Sequence, residues 1–159
     1  MDLIRKANLN TYPIFSLNGY ITYAKLLSNY DGDTGDILFI YNDNPMHLKA
    51  RFYGYDSHEI KPSINDPNRD EKKKKALDAK KRLWFLCTNN DDLNSSHDTL
   101  IKIKCGNFDK YGRVLIIAFQ EFVDITNLND EELFNFSINF KMIEEGHGIP
   151  YFGGKKIDF

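Results

Sequence analysis

Apolar positions recur with two different periods along this chain. From Tyr20 to Leu27 the run Tyr-Ile-Thr-Tyr-Ala-Lys-Leu-Leu is β-branched and aromatic and predicts a strand. Asn29 to Asp36 predicts a turn, Ile37 to Tyr41 a second strand, Asn42 to Pro45 another turn, and Met46 to Tyr55 a third strand, all in the manner of an antiparallel meander. After a loop from Glu59 to Arg69, punctuated by Pro62 and Pro67, the period lengthens. Ala76, Leu77, Lys80, Leu83, Trp84 and Cys87 then share one stripe, which predicts a helix from Glu71 to Cys87 with Asp70 as its N-cap. Lys80 is the polar exception on that stripe, and its stem can snorkel.

Asn89 to Asp98 is a polar loop. Leu100 to Cys105 alternates, Asn107 to Arg113 makes a turn, and Val114 to Phe122 is a further apolar strand. Asp130 to Glu145 reads as a helix closed by Gly146, or as a shorter helix that begins at Ser137. The tail from Gly148 to Phe159 is aromatic, Gly-rich and irregular. About five strands, one helix after the third and another after the fifth, predict a β-rich α+β fold: a five-stranded OB-type barrel with two or three helices. Residues 1–20 form an N-terminal extension and residues 21–159 the barrel domain.

Composition narrows the class. The chain has 159 residues, 42% of them hydrophobic, enough for one domain with a core. With 21 basic and 23 acidic residues the formal charge is -2, which excludes a uniformly basic nucleic-acid coat but not a local basic groove. No run approaches the roughly 20 apolar residues of a membrane span, and Met1 to Lys6 lacks the apolar core of a secretory signal. An intracellular, cytoplasmic monomer with no membrane partner is expected. Cys87 and Cys105 form no CxxC, so neither a disulfide framework nor a zinc site is expected, and both read as buried free thiols.

Three segments concentrate charge beside apolar strand: Asp31-Gly32-Asp33-Thr34, the run from Arg51 to Glu59, and Asp109-Lys110-Tyr111-Gly112-Arg113. Singly, the first and third are ordinary turn chemistry. An EF-hand is excluded, because its loop needs Gly at the sixth position and Glu at the twelfth. Counted from Asp31, those positions hold Asp36 and Asn42. Together the segments supply Asp33, Asp56 and Glu59 at strand ends, with Arg51 and Arg113 beside them in the motifs. In an alternating strand Arg51 and Tyr55 share one face and Asp56 points the other way. Arg51 therefore meets the acidic residues only if the strand bends, and Gly54 is placed for such a bend. Carboxylates for a hard cation, beside arginines that grip phosphate oxygens, are the parts needed for phosphodiester hydrolysis.

In this order, the three motifs resemble those of the staphylococcal nuclease (thermonuclease) family, with the likeness running from about Ala24 to Tyr151. The resemblance implies a five-stranded OB barrel and a Ca²⁺-dependent hydrolase of DNA or RNA, with single strands preferred. By position, Asp33 and Asp56 match carboxylates that ligate Ca²⁺, and Ser57 matches a residue that ligates through its main-chain carbonyl. Asp31 matches an outer acidic position that contacts the ion through water. Glu59 matches the carboxylate that assists the attacking water, and Arg51 and Arg113 match the arginines on the scissile phosphate. Lys110 and Tyr111 match residues around the terminal phosphate, while Tyr111 and Tyr151 offer rings on which bases stack. Departure of the 5′-oxygen would give 3′-phosphate products. His58 departs from the family, which has Pro there; its plain reading is an exposed loop histidine. The 1–20 extension and the segment 124–136 have no assigned role.

Lys72 to Lys75, Lys80, Lys81 and Arg82 make a basic helix, either a solvated face or a contact to a phosphate backbone. Trp84 is expected in the core, and His47, His97 and His147 lack ligand-like spacing. A divalent ion other than Ca²⁺ remains open for a cytosolic enzyme. The competing function is a catalytically weak OB-fold module that binds single strands or a protein partner.

Overall fold

Alternation along the strands closes the structure. The computed structural model describes residues 1–154. Strands β1 (Ile21–Asn29), β2 (Thr34–Tyr41) and β3 (Asn44–Phe52) turn Ala24 and Leu26, Ile37 and Phe39, and Ala50 and Phe52 inward. Ile101, Ile103 and Cys105 of β5 (Ile101–Phe108) and Val114, Ile116 and Ala118 of β6 (Val114–Gln120) complete the same core. The five strands form a closed barrel in the order β1-β2-β3-β6-β5. All pairs are antiparallel except β3 and β6, which run parallel with Arg51 opposite Leu115. This is the mixed five-stranded barrel of an OB-like α+β fold, as the order of predicted elements implied.

Between β2 and β3 the turn tightens to Asn42 and Asp43, both with positive φ (48° and 61°). That geometry matches the right-handed twist of the strands it joins. Helix α2 (Arg69–Thr88) packs Leu83, Trp84 and Cys87 against the barrel core. It begins just after Pro67, with Asn68 at the N-cap position, so Asp70 lies in the first turn rather than capping it. There its charge still complements the helix dipole. The buried stripe is also rotated. Ala76 and Ala79 face inward while Leu77 is 41% exposed. The helix approaches so closely that a Cβ on Gly32 would lie 2.7 Å from the Ala79 Cβ, and only small residues fit that face.

The predicted third strand is two. It breaks at Tyr53, and β4 (Gly54–Ser57) leaves the barrel to pair with β7 (Gly148–Tyr151), inside the tail expected to be irregular. The remainder of that tail, 155–159, lies outside the described residues. Gly54 has φ +93°, and a Cβ there would come within 2.5 Å of the Phe134 ring, so both backbone and space demand glycine. The helix expected over 130–145 also divides, into α3 (Asp130–Asn135) and α4 (Ile138–Glu144). Ser137 caps α4 by accepting the Phe140 amide at 3.0 Å, the alternative the sequence had left open, and Gly146 follows with φ +79°. Strand β6 stops at Gln120, short of the exposed Phe122.

Within residues 1–20, α1 (Asp2–Lys6) buries nothing. The end of this segment does belong to the barrel: Leu17 is in the core and the Gly19 amide donates to the Cys105 carbonyl. Trp84, Cys87 and Cys105 are buried, and both thiols are free. Burial pushes the Cys105 thiol up to about 11 and the Cys87 thiol higher still, so neither is a nucleophile at neutral pH. Among the described residues no helix is long and apolar enough to cross a membrane.

Candidate active site

The strand break at Tyr53 builds the site. Phe52 is still in the barrel, while Gly54 starts a strand in another direction, so Arg51 and Asp56 are no longer bound to opposite faces. Arg51 Nη2 donates to Asp56 Oδ1, and its Nη1 lies 3.3 Å from Asp33 Oδ2 and donates to the Phe52 carbonyl at 2.9 Å. Asp33 and Asp56 are 8% and 6% exposed, so this is a buried cluster centred on one guanidinium. A buried polar residue holds the break in place. Asn139 of α4 donates to the Tyr53 and Ile116 carbonyls at 2.8 and 2.9 Å and accepts the Ala118 amide at 2.9 Å.

The turn from Asp31 to Asp33 is equally fixed. Tyr55 Oη donates to the Gly32 carbonyl at 2.6 Å, and burial holds that phenol well above its usual value, so it stays a neutral donor. The Asp33 amide donates to Asp31 Oδ1 at 3.0 Å. Asp33 itself accepts the Ser57 amide on Oδ2 at 2.8 Å and the Thr34 hydroxyl on Oδ1 at 3.0 Å. Asp33 and Asp56 are thus the two carboxylates on Arg51, and Asp31 adjoins Asp33. The imbalance appears at Asp31, whose carboxyl is pushed up to about 7, first by burial and then by the charge of Asp33.

Arg113 reaches the same region from the other side. Asp109 organises its turn, accepting the Tyr111 and Arg113 amides on Oδ1 at 2.9 and 3.0 Å and Arg113 Nε on Oδ2 at 2.7 Å. Burial works against the Asp109 charge, but these hydrogen bonds outweigh it and keep the carboxyl low. Arg113 Nη1 lies 3.5 Å from Thr34 Oγ1, so Thr34 bridges the acidic cluster to the second arginine. Lys110 Nζ and the Arg113 guanidinium lie 5.1 and 5.2 Å from the centre of the exposed Tyr111 ring.

Arg51, Arg113, Lys110, Tyr111 and Tyr151 all line one cleft of about 250 Å³. Phe152 closes its side, edge-on to Tyr53 at 5.6 Å, which is packing at the barrel mouth. Glu59 is not among the lining residues; it is exposed, two residues past β4. His58 is not the exposed loop histidine expected from the sequence. It is 6% exposed, because the burial of Gly54, Tyr55 and Asp56 in β4 resumes one residue past Ser57. There it contributes, after Lys75, to holding Glu71 low.

Thr34, Asp109, Tyr55 and Asn139 were not singled out from the sequence. Thr34 and Asp109 lie inside the motifs and were legible there. Asn139 carried only a weak signal, an amide amid the apolar residues of Ile-Asn-Phe. On the basic helix, Lys72 pairs with Asp66 at 2.8 Å, Lys75 with Glu71 at 3.0 Å, and Arg82 with Glu145.

Among the described residues no group of three or more His, Cys, Asp or Glu side chains is spaced to hold a metal ion. The oxygen set expected for Ca²⁺ has fewer side chains: two carboxylates, one carbonyl and water. No protein-family model matches the chain, and no curated protein matches it. The fold and this pairing of clusters define an OB-like barrel with a cationic cleft adjoining a buried acidic cluster.

Proposed function

We propose that the protein is a Ca²⁺-dependent nuclease that hydrolyses phosphodiester bonds of single-stranded DNA or RNA. The observation that carries this reading is the position of Arg51, which faces the buried carboxylates on one side and lines the cleft with Arg113 and Lys110 on the other. A phosphate in that cleft meets two guanidinium forks and an ammonium.

The donor set suits a hard divalent cation. All its ligating atoms are oxygens, and two carboxylates share one guanidinium, while at Asp31 burial and then the Asp33 charge raise the carboxyl. Asp33, Asp56 and the Ser57 carbonyl would hold the ion, with Asp31 acting through water. When bound, it supplies charge that neutralises a phosphate oxygen and orients water. The rest falls to the chain. Arg51 and Arg113 hold the equatorial oxygens and stabilise their growing charge. Glu59, carried on an exposed loop, takes a proton from the attacking water as the 5′-oxygen departs. Thr34 and Asp109 keep Asp33 and Arg113 in their rotamers.

The test is a zymogram on DNA and on RNA, in Ca²⁺, in other divalent ions and in EDTA. Clearing that depends on a hard divalent ion is expected. Full activity in EDTA refutes the metal assignment. Binding of single strands with no cleavage in any ion favours a catalytically weak binding module, for which the exposed position of Glu59 is the supporting observation.

A further inference from the structure

We propose that a second groove, on the outer face of β6, receives the base of an unpaired nucleotide next to the scissile phosphate; this rests on the nuclease reading above. The groove has a volume of about 620 Å³ and lies beside the phosphate cleft, with Tyr53, Leu115 and Phe152 lining both. A strand whose phosphate sits between Arg51 and Arg113 therefore has a continuous wall to follow into it.

The floor is apolar surface left half-covered. Val114, Ile116 and Ala118 of β6 fill the barrel, while Leu115 and Ile117 face out and are only partly buried. A strand that is apolar on both faces needs cover on both, and α3 supplies only one wall through Leu133 and Phe134. Gly106 of β5 is an independent observation. Its φ lies outside the left-handed region, and a Cβ there would meet only Leu115, at 3.4 Å. Gly106 falls where the β5–β6 register shifts between Cys105 and Phe108, and its missing side chain keeps the floor open.

The charges select a base over a phosphate. Lys104, the ammonium in the groove, is paired with Asp130 at 3.1 Å, and Glu131 adds a further carboxylate to the rim. A neutral planar ring suits the apolar floor, and the rim carboxamides of Asn107 and Asn135 can donate to or accept from its edge. The base must leave a duplex stack to enter, so the substrate is single-stranded, and recognition by stacking tolerates any sequence.

The experiment measures binding of a fluorescein-labelled thymidine trinucleotide, with phosphorothioate linkages to block cleavage, against versions lacking one base at each position. In Ca²⁺, wild type should lose about tenfold in affinity when the groove base is removed. Gly106→Leu fills the groove. It should bind the intact probe as weakly as wild type binds that abasic one, with an unchanged melting temperature. Should Gly106→Leu not fold, Ile117→Glu, which sets a carboxylate in the floor, is expected to do the same. Wild type indifferent to base removal at every position, or a folded variant that keeps the full preference, overturns the groove and leaves the nuclease reading standing. Failure of wild type to bind any of the probes overturns both.

Discussion

Asp31→Asn should stabilise the metal-free protein at alkaline pH and leave it little changed in acid. In the fold this carboxyl titrates near 7 against an ordinary 3.8, through burial and the neighbouring Asp33 charge. Between those values the folded state binds more protons than the unfolded chain, so stability falls as pH rises. The extra stability is complete below about pH 3.8 and gone above about pH 7. Each pKa unit is worth about 1.4 kcal/mol, so the full span is roughly 4 kcal/mol, of which about 3 kcal/mol is lost between pH 5 and pH 8. Partial solvent access lowers the expected figure to about 2–3 kcal/mol. Asparagine keeps an oxygen for the Asp33 amide but has no proton to lose in this range.

The assay is thermal unfolding in EDTA at pH 5 and pH 8, followed by fluorescence of Trp84, which is fully buried. At pH 8 the variant should melt roughly 5–10 °C above wild type, and at pH 5 the gap should shrink to roughly a third of that. Added Ca²⁺ should then raise the wild-type midpoint more than that of the variant, because the ion relieves a repulsion the variant no longer has. Parallel pH dependence of the two proteins refutes the argument, because it means that Asp31 ionises freely and the carboxylates do not crowd one another.

Glu59→Gln should lower turnover by roughly 10² to 10⁴ with little change in substrate affinity; a loss confined to affinity in steady-state kinetics makes Glu59 a positioning group. Arg113→Lys should cost turnover heavily while the fold persists, whereas Arg51→Lys should cost turnover and also about 2–4 kcal/mol of stability, because Asp33 and Asp56 lose their shared fork. Oligonucleotide kinetics and denaturant titration check both, and near-wild-type turnover in either variant places the phosphate elsewhere. Asn139→Leu strands two carbonyls and an amide in the interior and should cost about 3–5 kcal/mol in the same titration.

The barrel was legible because its signal is repeated. Five apolar or alternating runs, each bounded by turn residues, recur along the chain, and no single misjudged residue changes the fold class. The departures all come from tertiary demands that no local pattern records. Leu77 belongs to the predicted stripe of α2, but the close approach of Ala79 to Gly32 rotates the helix and turns Leu77 to solvent. Strand β7 exists because β4 needs an edge partner, and nothing in Gly-Ile-Pro-Tyr announces a strand without it. His58 goes inward because burial resumes one residue past the end of β4, where no local pattern marks it. In the candidate site, the charged residues were visible as motifs, whereas their supports were not. Asn139 is far from every motif and acts through main-chain atoms of Tyr53, Ile116 and Ala118.

The run from Met46 to Tyr55 shows where pattern and chemistry part. As one strand it keeps Arg51 and Asp56 on opposite faces, and no cluster forms. A left-handed residue at Gly54 turns the chain, Asn139 fixes the carbonyl of Tyr53, and Phe134 occupies the space that any side chain at 54 would need. Arg51 thereby gains a second face, against the acids as well as the cleft. That position is costly to build, because buried carboxylates outnumber their guanidinium and Asp31 is left holding a proton near neutral pH. A fold gains nothing from such a cluster by itself, since an apolar interior at the same place would be at least as stable. The excess charge makes physical sense if something positive joins it, and the metal dependence of the melting curve is where that demand becomes measurable.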